Sequence, residues 1–338
     1  MNIAIIGATG YTGFELIKII LKHPHLKIKY LTSDSSSGKK ISEIYPFLKN
    51  LCDIELIPNN FDKISDVDAV FLCLPHGASM NAVKFFREKG VIVVDLSADF
   101  RISDPQIYEE TYKENHKYPD LLKEAVYGIP ELFENEIKQS KLIANPGCYP
   151  TSVIIPLFPL IKNNLISTDF IIADSKSGVS GAGKNPTEKT HFCEVNEDLK
   201  PYGIFNHRHN PEIDFVLSRN KNVHVIFTPH LLPINRGILS TIYTKSAANQ
   251  NTIIDCLKEA YKGKNFVRIY EKDIPSIKNV ANTNFIDIGI FKKCDNIIIV
   301  SAIDNLIKGA SGQAVQNLNI IAGFKETDGL LWGKYGKD

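Results

Sequence analysis

The start of the chain contains the pattern that most restricts its fold. A short apolar run at residues 2–6 leads directly into a loop with a glycine at every third position, and an amphipathic stretch follows at residues 14–22. Strand, glycine loop and helix in this order predict a dinucleotide site, because glycines let the backbone approach a pyrophosphate whose charge rests on the helix N-terminus. The candidate cofactor contacts in this loop are Gly7, Thr9, Gly10, Tyr11, Thr12 and Gly13.

The segment after the second predicted strand, residues 26–32, is where the adenosine ribose should lie. Ser33 and Ser35 are candidate cofactor contacts there, on either side of Asp34. The residues alone leave two interpretations open. Asp34 could accept from a free 2′-hydroxyl, which favours NAD, whereas the serines with Lys39 and Lys40 could hold a 2′-phosphate, which favours NADP.

Near-continuous apolar runs at residues 68–74 and 91–96, with a helical stretch at 78–89 between them, predict a parallel sheet covered on both faces. His76 follows the first run and Arg101 follows the second. Open α/β sheets bind ligands at the carboxyl ends of their strands. His76 is therefore a candidate for lining the cofactor site, and Arg101 for gripping an anionic group through its planar guanidinium.

Cys148 is the best candidate nucleophile. An apolar run at 141–144 predicts a strand, Asn-Pro-Gly turns the chain, and Pro150 suits the first turn of a helix. A thiol at a helix N-terminus has a lowered pKa, and the same backbone N–H groups can stabilise an oxyanion. The alternative is a buried thiol that packs as a small apolar side chain.

The segment 207–212 contains the groups that a reactive thiol requires. A thiol attacking a carbonyl needs a proton acceptor and later a proton donor, and histidine serves as both near neutral pH. His207 and His209 flank Arg208, and Glu212 follows. The two imidazoles would share a face in extended chain and diverge by about 200° in a helix, and the sequence leaves both geometries open. Solvated charges capping a helix at 211–217 are the plainer interpretation.

The second half of the chain predicts an α+β domain. A strand at 170–174 precedes a glycine-rich loop at 175–184, in which Ser177 and Gly178 are candidate cofactor contacts. Further strands are expected at 223–228, 238–244, 266–270, 285–291 and 296–303, in a mixed or antiparallel sheet. A final helix reaching residue 322 is expected to return to the first domain, with Asn305 near the junction as a cofactor contact. The predicted domains are 1–147 with 310–338, and 148–309.

Composition limits the possible partners. The 338 residues carry a formal net charge of +1, which gives no field selective for nucleic acid or a membrane surface. The six cysteines are scattered without a C-x-x-C pair, and no basic-then-apolar leader precedes Gly7. We therefore expect a cytoplasmic protein that acts on a small molecule, with neither a metal site nor a membrane segment.

The whole chain resembles the N-acetyl-gamma-glutamyl-phosphate reductase family, within the semialdehyde dehydrogenase superfamily. Five motifs in the same order carry the resemblance: the glycine loop at 7–13, Gly147-Cys148-Tyr149-Pro150-Thr151, Ser177 to Gly183, His207 to Glu212, and Asp304 to Ala310. The resemblance implies an α/β fold, with an N-terminal Rossmann-type dinucleotide-binding domain and an α+β catalytic domain of the glyceraldehyde-phosphate-dehydrogenase type. It also implies NADPH as cofactor and a cytoplasmic homo-oligomer, a dimer or a tetramer.

The implied reaction is the reduction of N-acetyl-glutamyl 5-phosphate in arginine biosynthesis, with Cys148 as nucleophile and His209 as proton donor and acceptor. His207 is expected to contact the substrate, Arg101 and Lys184 to bind its phosphate, and Arg208 or Arg236 its carboxylate. The ribose loop departs from the family, because Ser35 and Ser36 stand where a basic residue is expected. Two alternatives are a sister reductase acting on aspartyl phosphate or a carrier-linked aminoadipyl phosphate, and a dinucleotide-sensing protein without catalysis.

Overall fold

The computed structural model describes residues 1–219 and 221–331. The described residues form fourteen strands, numbered in chain order: β1 Asn2–Ile6, β2 Lys27–Thr32, β3 Leu56–Ile57, β4 Ala69–Leu72, β5 Ile92–Asp95, β6 Val126–Tyr127, β7 Leu142–Ala144, β8 Ile171–Gly178, β9 Lys200–Pro201, β10 Val225–Leu232, β11 Ile238–Lys245, β12 Val267–Tyr270, β13 Ile286–Lys293 and β14 Asn296–Ile303.

The same residues form twelve α-helices: α1 Tyr11–Ile20, α2 Ile41–Ile44, α3 Ser79–Glu88, α4 Pro105–Tyr112, α5 Pro119–Glu124, α6 Pro130–Gln139, α7 Cys148–Lys162, α8 Phe192–Val195, α9 His209–Leu217, α10 Gln250–Ala260, α11 Ile277–Val280 and α12 Gly312–Ala322. Short 3-10 turns lie at Pro46–Leu48, Phe61–Lys63 and Val179–Ala182, and a π-helical turn at Ile307–Ser311 precedes α12.

The chain divides into two compact units, Met1–Pro146 together with the chain from Ala310 onward, and Gly147–Gly309. The sheet of the first unit has the strand order β3-β2-β1-β4-β5-β7-β6, and every pair in it is parallel. Strand β4 is buried along its whole length, as a parallel strand covered on both faces requires. The strand order reverses between β1 and β4, which is where doubly wound sheets leave a ligand crevice.

The sheet of the second unit is mixed, with the order β12-β13-β14-β11-β8-β10-β9. Strands β8 and β10 are parallel, whereas β11 is antiparallel to both β8 and β14. Burial alternates along β8 and β11, so one face of the sheet packs into the core and the other is open to solvent. The parallel first sheet and the mixed second sheet confirm the predicted fold class.

The predicted loop at 175–184 is wrong in its first four residues, because β8 continues to Gly178. Strand β8 is central and pairs with both β10 and β11 through Ser177, so its backbone groups are bonded on both sides. The hydroxyls that suggested a loop are buried in the sheet, where Ser175 Oγ lies 2.7 Å from Ser240 Oγ. Backbone pairing on both edges therefore outweighs the turn-forming composition.

Helix α7 contains Pro156 and Pro159 in its interior. A proline has no N–H, so Pro159 leaves the carbonyl of Ile155 without its helical donor. The hydroxyl of Tyr261 donates to that carbonyl instead. The second unit thereby accommodates a proline-containing helix that is almost entirely buried after Cys148.

Candidate active site

The glycine loop of the first unit has the shape that a dinucleotide requires. Gly7 has φ +82°, and a Cβ there would lie 2.5 Å from the carbonyl oxygen of Cys73. A Cβ at Gly13 would lie 2.7 Å from Ala8 Cα, so the helix packs closely on the loop. A Cβ at Gly10, the N-cap of α1, would meet only the carbonyl oxygen of Gly7, 3.9 Å away. The space above the start of α1 is therefore open, and the loop fits a pyrophosphate.

Hydroxyl groups border the same loop at the end of β2. Ser33 Oγ lies 3.0 Å from Thr9 Oγ1 and 3.4 Å from Ser35 Oγ. Asp34 is turned to a neighbouring loop, where Asn59 donates its backbone N–H to one carboxylate oxygen at 2.8 Å and its side-chain amide to the other at 2.7 Å. Both oxygens of the predicted ribose acceptor are thus already bound to Asn59.

A buried carboxylate holds the turn between β4 and α3. Asp99 has no exposed surface and accepts hydrogen bonds from the backbone N–H groups of Gly77, at 2.7 Å, and Ser79, at 3.0 Å. His76 Nδ1 lies 2.6 Å from the same carboxylate. Burial acts to raise the pKa of Asp99, but the contacts with His76, Gly77 and Ser79 outweigh it and leave this pKa below its ordinary value.

Asp95, at the end of β5, has a raised pKa, in contrast to Asp99. It is fully buried, and burial together with the nearby charge of Asp99 raises its pKa to about 6, although Ser97 donates to it from both N–H and Oγ. The charged form of Asp95 is therefore disfavoured in the folded protein.

Cys148 is the first residue of α7 in the second unit, and Gly147 is the N-cap. The chain approaches it closely at Gly309, where a Cβ would lie 2.7 Å from Cys148 Cβ. The backbone N–H of Gly147 donates to Glu212 Oε1 at 2.9 Å, and Glu212 is fully buried. The thiol therefore lies at a helix N-terminus, as predicted, and the residue before it is bound to α9.

The two histidines lie side by side next to the following residue, Tyr149. The ring centroids of His207 and His209 are 5.8 and 5.9 Å from that of Tyr149, and 4.8 Å from each other. Helix α9 begins at His209, two residues earlier than predicted, and His209 N–H donates to His207 Nδ1 at 3.1 Å. Because His207 precedes the helix, neither of the two regular geometries considered from the sequence applies.

The two histidines differ in environment. Burial, with a smaller contribution from the Arg208 charge, lowers the pKa of His207 to about 4, so this imidazole is neutral at physiological pH. His209 is 8% exposed.

Sequence reasoning gave Glu212 no separate role, although its position three residues after His209 places both on one face of α9.

Asn305, Ser177 and Gly178 lie in the second unit. The side-chain oxygen of Asn305 accepts from Gly237 N–H at 2.7 Å, and its amide donates to Ser180 Oγ at 3.0 Å. A Cβ at Gly178 would lie 2.7 Å from Arg236 N, so the backbones approach closely here. Asn305 therefore ties two loops of this unit together.

The four predicted anion-binding residues have different environments. Arg101, 8% exposed, donates from Nε to the carbonyl of Asn145 and from Nη2 to that of Leu96, both at 2.9 Å. Arg236 Nη1 lies 3.3 Å from a carboxylate oxygen of Asp304, which is fully buried. Lys184 and Arg208 are exposed. Arg101 and Arg236 are therefore largely enclosed by the fold, and Lys184 and Arg208 lie at the surface.

Comparison with known proteins identifies the family. Residues 2–140 match the family model of the semialdehyde dehydrogenase NAD binding domain, and residues 148–305 match that of the semialdehyde dehydrogenase dimerisation domain. N-acetyl-gamma-glutamyl-phosphate reductase of Desulforapulum autotrophicum is 50% identical over 98% of each chain. The protein of the same name from Caldicellulosiruptor saccharolyticus is 49% identical over 97% of each chain. The chain belongs to the N-acetyl-gamma-glutamyl-phosphate reductase family.

Solved structures show the same fold for this family member at low identity. Aspartate semialdehyde dehydrogenase II of Vibrio cholerae, complexed with ASA, superposes with a TM-score of 0.72 at 18% identity, over 95% of this chain and 98% of that one. The aspartate semialdehyde dehydrogenase of Candida albicans with NADP gives 0.70 at 18% identity, with the same coverage.

The described part of this reductase-family chain contains neither a membrane-spanning helix nor a cluster of metal ligands. Within residues 1–219 and 221–331, no helix has both the length and the apolar character needed to cross a bilayer. Over the same residues, no group of three or more His, Cys, Asp and Glu side chains is arranged to hold a metal ion.

Asp95 gives a prediction about stability and pH. Its folded pKa lies above its ordinary value of 3.8, so the penalty for its charge is small below that value, grows as the pH rises towards about 6 and is constant above it. Asp95→Asn removes this charge, and we expect it to raise the free energy of unfolding by roughly 2 kcal/mol at about pH 7.5 and by clearly less at about pH 4.5.

Denaturant titration at the two pH values measures this difference. Asp104→Asn is the control, because Asp104 is exposed and caps α4 by accepting from Gln106 and Ile107 N–H. This control should change the free energy of unfolding little at either pH, because asparagine caps a helix about as well as aspartate. An equal effect of Asp95→Asn at both would contradict the prediction.

Proposed function

We propose that this protein reduces N-acetyl-L-glutamyl 5-phosphate to N-acetyl-L-glutamate 5-semialdehyde and phosphate with NADPH, a step of arginine biosynthesis. The observation that carries the proposal is the position of Cys148 at the start of α7. The residue before it is bound by Glu212, and the ring of the residue after it contacts His209. A thiol at a helix N-terminus, with an imidazole on the helix that binds the residue before it, supplies the groups that acyl transfer requires.

In the proposed reaction, the Cys148 thiolate attacks the acyl carbon, the bond from that carbon to the phosphate oxygen breaks, and phosphate leaves with the bonding electron pair. The product is a thioester on Cys148. Bound NADPH supplies a hydride for the reduction of that acyl carbon. The N–H groups at the start of α7 stabilise the negative oxygen that develops on the carbon at each stage.

We assign proton transfer to His209. It takes the thiol proton of Cys148 at the outset and later protonates the oxygen of the reduced adduct. When the carbon–sulfur bond breaks, His209 accepts the hydroxyl proton and the thiolate is restored. His207 is less suited to this role, because a pKa of about 4 keeps it neutral. We assign His207 to substrate binding, with its Nδ1 engaged by His209 N–H.

The basic residues are assigned by their environments. Arg208 is exposed and follows His207 directly, so we propose that it binds the substrate carboxylate. Arg236, the other candidate, is paired with Asp304. We propose that Lys184 meets the phosphate from the loop after β8. Arg101, which donates to the backbone carbonyls of Asn145 and Leu96, remains a proposed phosphate contact because its planar guanidinium suits an anionic group.

We propose NADPH rather than NADH as the preferred cofactor. Asp34, which would favour NADH, has both oxygens bound by Asn59, whereas Ser33 and Ser35 form a row of hydroxyls with Thr9. Such hydroxyls can donate to a 2′-phosphate.

In this proposal residues 1–147 with 310–338 bind the dinucleotide, and residues 148–309 carry out catalysis and oligomerisation. Ser177, Gly178 and Asn305 contact the nicotinamide end.

We further propose that the working form is a homo-oligomer in the cytoplasm, built on a dimer joined through the open face of the second sheet. Apolar side chains cross this face in one register row on five adjacent strands, Ile226, Ile172, Tyr243, Ile298 and Phe291. Three of them, Ile226, Tyr243 and Ile298, are each 38% exposed. Such an apolar row can pack against the same row of a second copy of the chain in a symmetric dimer. Residues 148–305 also match a dimerisation domain.

The first test is the reverse reaction. Phosphate-dependent reduction of NADP by N-acetyl-glutamate semialdehyde should proceed with the unaltered protein and fall by at least roughly 10³-fold in Cys148→Ser, because a hydroxyl is a far weaker nucleophile than a thiolate. NADPH binding, followed by fluorescence titration, should stay within about twofold. Cys193→Ser, at an exposed cysteine, is the control and should retain full rate. A faster reaction with aspartate semialdehyde would instead assign the protein to the sister activity.

Cofactor preference is tested at Ser35. In Ser35→Glu the new carboxylate should repel a 2′-phosphate, and the ratio of kcat/KM for NADPH to that for NADH should fall by at least roughly tenfold. Ser65→Glu is the matched control, because Ser65 is exposed and precedes the amino end of β4, whereas Ser35 follows the carboxyl end of the parallel strand β2. Equal ratios in both variants and the unaltered protein would refute the proposed phosphate contact.

A substitution at Ile298 tests the proposed dimer interface. Ile298→Glu should lower the mass measured by light scattering to that of a monomer at micromolar concentration, because it places a charge in the middle of the apolar row. The control is Ile274→Glu, since Ile274 is 68% exposed and lies outside the strands of the sheet. An unaltered protein that is monomeric, or an Ile298→Glu variant with unchanged mass, would exclude this interface.

A further inference from the structure

The turn between β4 and α3, residues 73–78, lies beside the glycine loop. Strand β4 is the neighbour of β1 on the side where the strand order reverses, and Cys73 N–H donates to the carbonyl of Ile6 at 2.8 Å. Gly7, the first residue of the glycine loop, also approaches Cys73, the first residue of the turn, closely. The crevice of a doubly wound sheet opens at such a reversal, so this turn borders the crevice next to the glycine loop.

The carboxylate of Asp99 stabilises the turn at 73–78. Asp99 lies 2.6 Å from His76 Nδ1 and accepts the N–H groups of Gly77 in the turn and of Ser79, the first residue of α3. Gly77 has φ +81°, a conformation that glycine adopts readily and other residues rarely. Asp99 is itself fixed, because its N–H donates to Ser97 Oγ at 3.0 Å.

The His76 ring contacts three side chains, those of Asp99, Glu114 and Tyr112. Besides the contact with Asp99, its Nε2 lies 3.2 Å from Glu114 Oε1, and its ring lies 4.2 Å from that of Tyr112 at an interplanar angle of 33°. The imidazole therefore extends the Asp99 contact towards α4 and the loop after it. A side chain held in this way adds rigidity to the turn rather than mobility.

We propose that Asp99, acting with His76, is a positioning residue for the cofactor, because it holds the turn at 73–78 in the shape that receives the pyrophosphate and nicotinamide half. This inference rests on the proposed use of NADPH. The adenosine half is expected at the ends of β1 and β2, on the other side of the glycine loop, and does not depend on this turn. Asp99 should therefore affect the two halves of the dinucleotide unequally.

The test compares two ligands, NADPH and 2′,5′-ADP, by fluorescence or calorimetric titration. Asp99→Asn loses one acceptor oxygen and the charge, so the N–H of either Gly77 or Ser79 loses its partner. We expect its Kd for NADPH to rise by at least roughly tenfold, its Kd for 2′,5′-ADP to stay within about twofold, and kcat at saturating NADPH to change by less than about threefold. Asp104→Asn, which also removes a carboxylate that accepts two backbone N–H groups, should change none of these.

A second pair of variants applies if Asp99→Asn does not fold. His76→Asn keeps a donor near the position of Nδ1, whereas His76→Ala keeps none. NADPH affinity should be weakened several-fold in the alanine variant and restored towards normal in the asparagine variant. Equal NADPH affinity in all variants, or equal loss for NADPH and 2′,5′-ADP, would overturn the positioning role. An unaltered protein that binds neither ligand would instead overturn the proposed function.

Discussion

The arrangement of the second unit depends on the contact between the first turn of α7 and the first turn of α9. Glu212, fully buried, accepts the N–H of Gly147, the residue before Cys148, and the ring of Tyr149, the residue after it, lies beside that of His209. A buried carboxylate requires hydrogen bonds, and a helix N-terminus has N–H groups to offer. Each therefore satisfies the other, and the result is a thiol with an imidazole-bearing helix beside it.

Buried carboxylates play a similar part elsewhere in the protein. Asp99 holds the turn after β4 in the first unit, and Asp304 accepts N–H bonds from Asn282, Leu306 and Ile307 in the second. In each case a charged group removed from water is stabilised by backbone donors of a loop. These loops lie at the ends of strands, so buried carboxylates stabilise irregular segments that border the candidate sites.

Much of the fold follows from local patterns that the tertiary structure reinforces. The glycine loop and the apolar runs at β4 and β5 were recognisable because parallel strands buried on both faces have few polar residues. The position of Cys148 followed from turn residues and a proline near the start of a helix. The end of β8 was missed because its serines and glycine are typical of loops, and only pairing with β10 and β11 accounts for a strand there.

The candidate site was predictable in its chemistry but not in its detail. By itself, the sequence determined which chemical groups are present and in what order, because strand, loop and helix signals are short-range and a resemblance over the whole chain preserves that order. Only the tertiary structure decided what each group contacts: that Asn59 binds both oxygens of Asp34, that Asp304 pairs with Arg236, and that His207 lies in surroundings that keep it neutral. Burial and hydrogen bonding between residues far apart in sequence set these properties, and no local pattern encodes them.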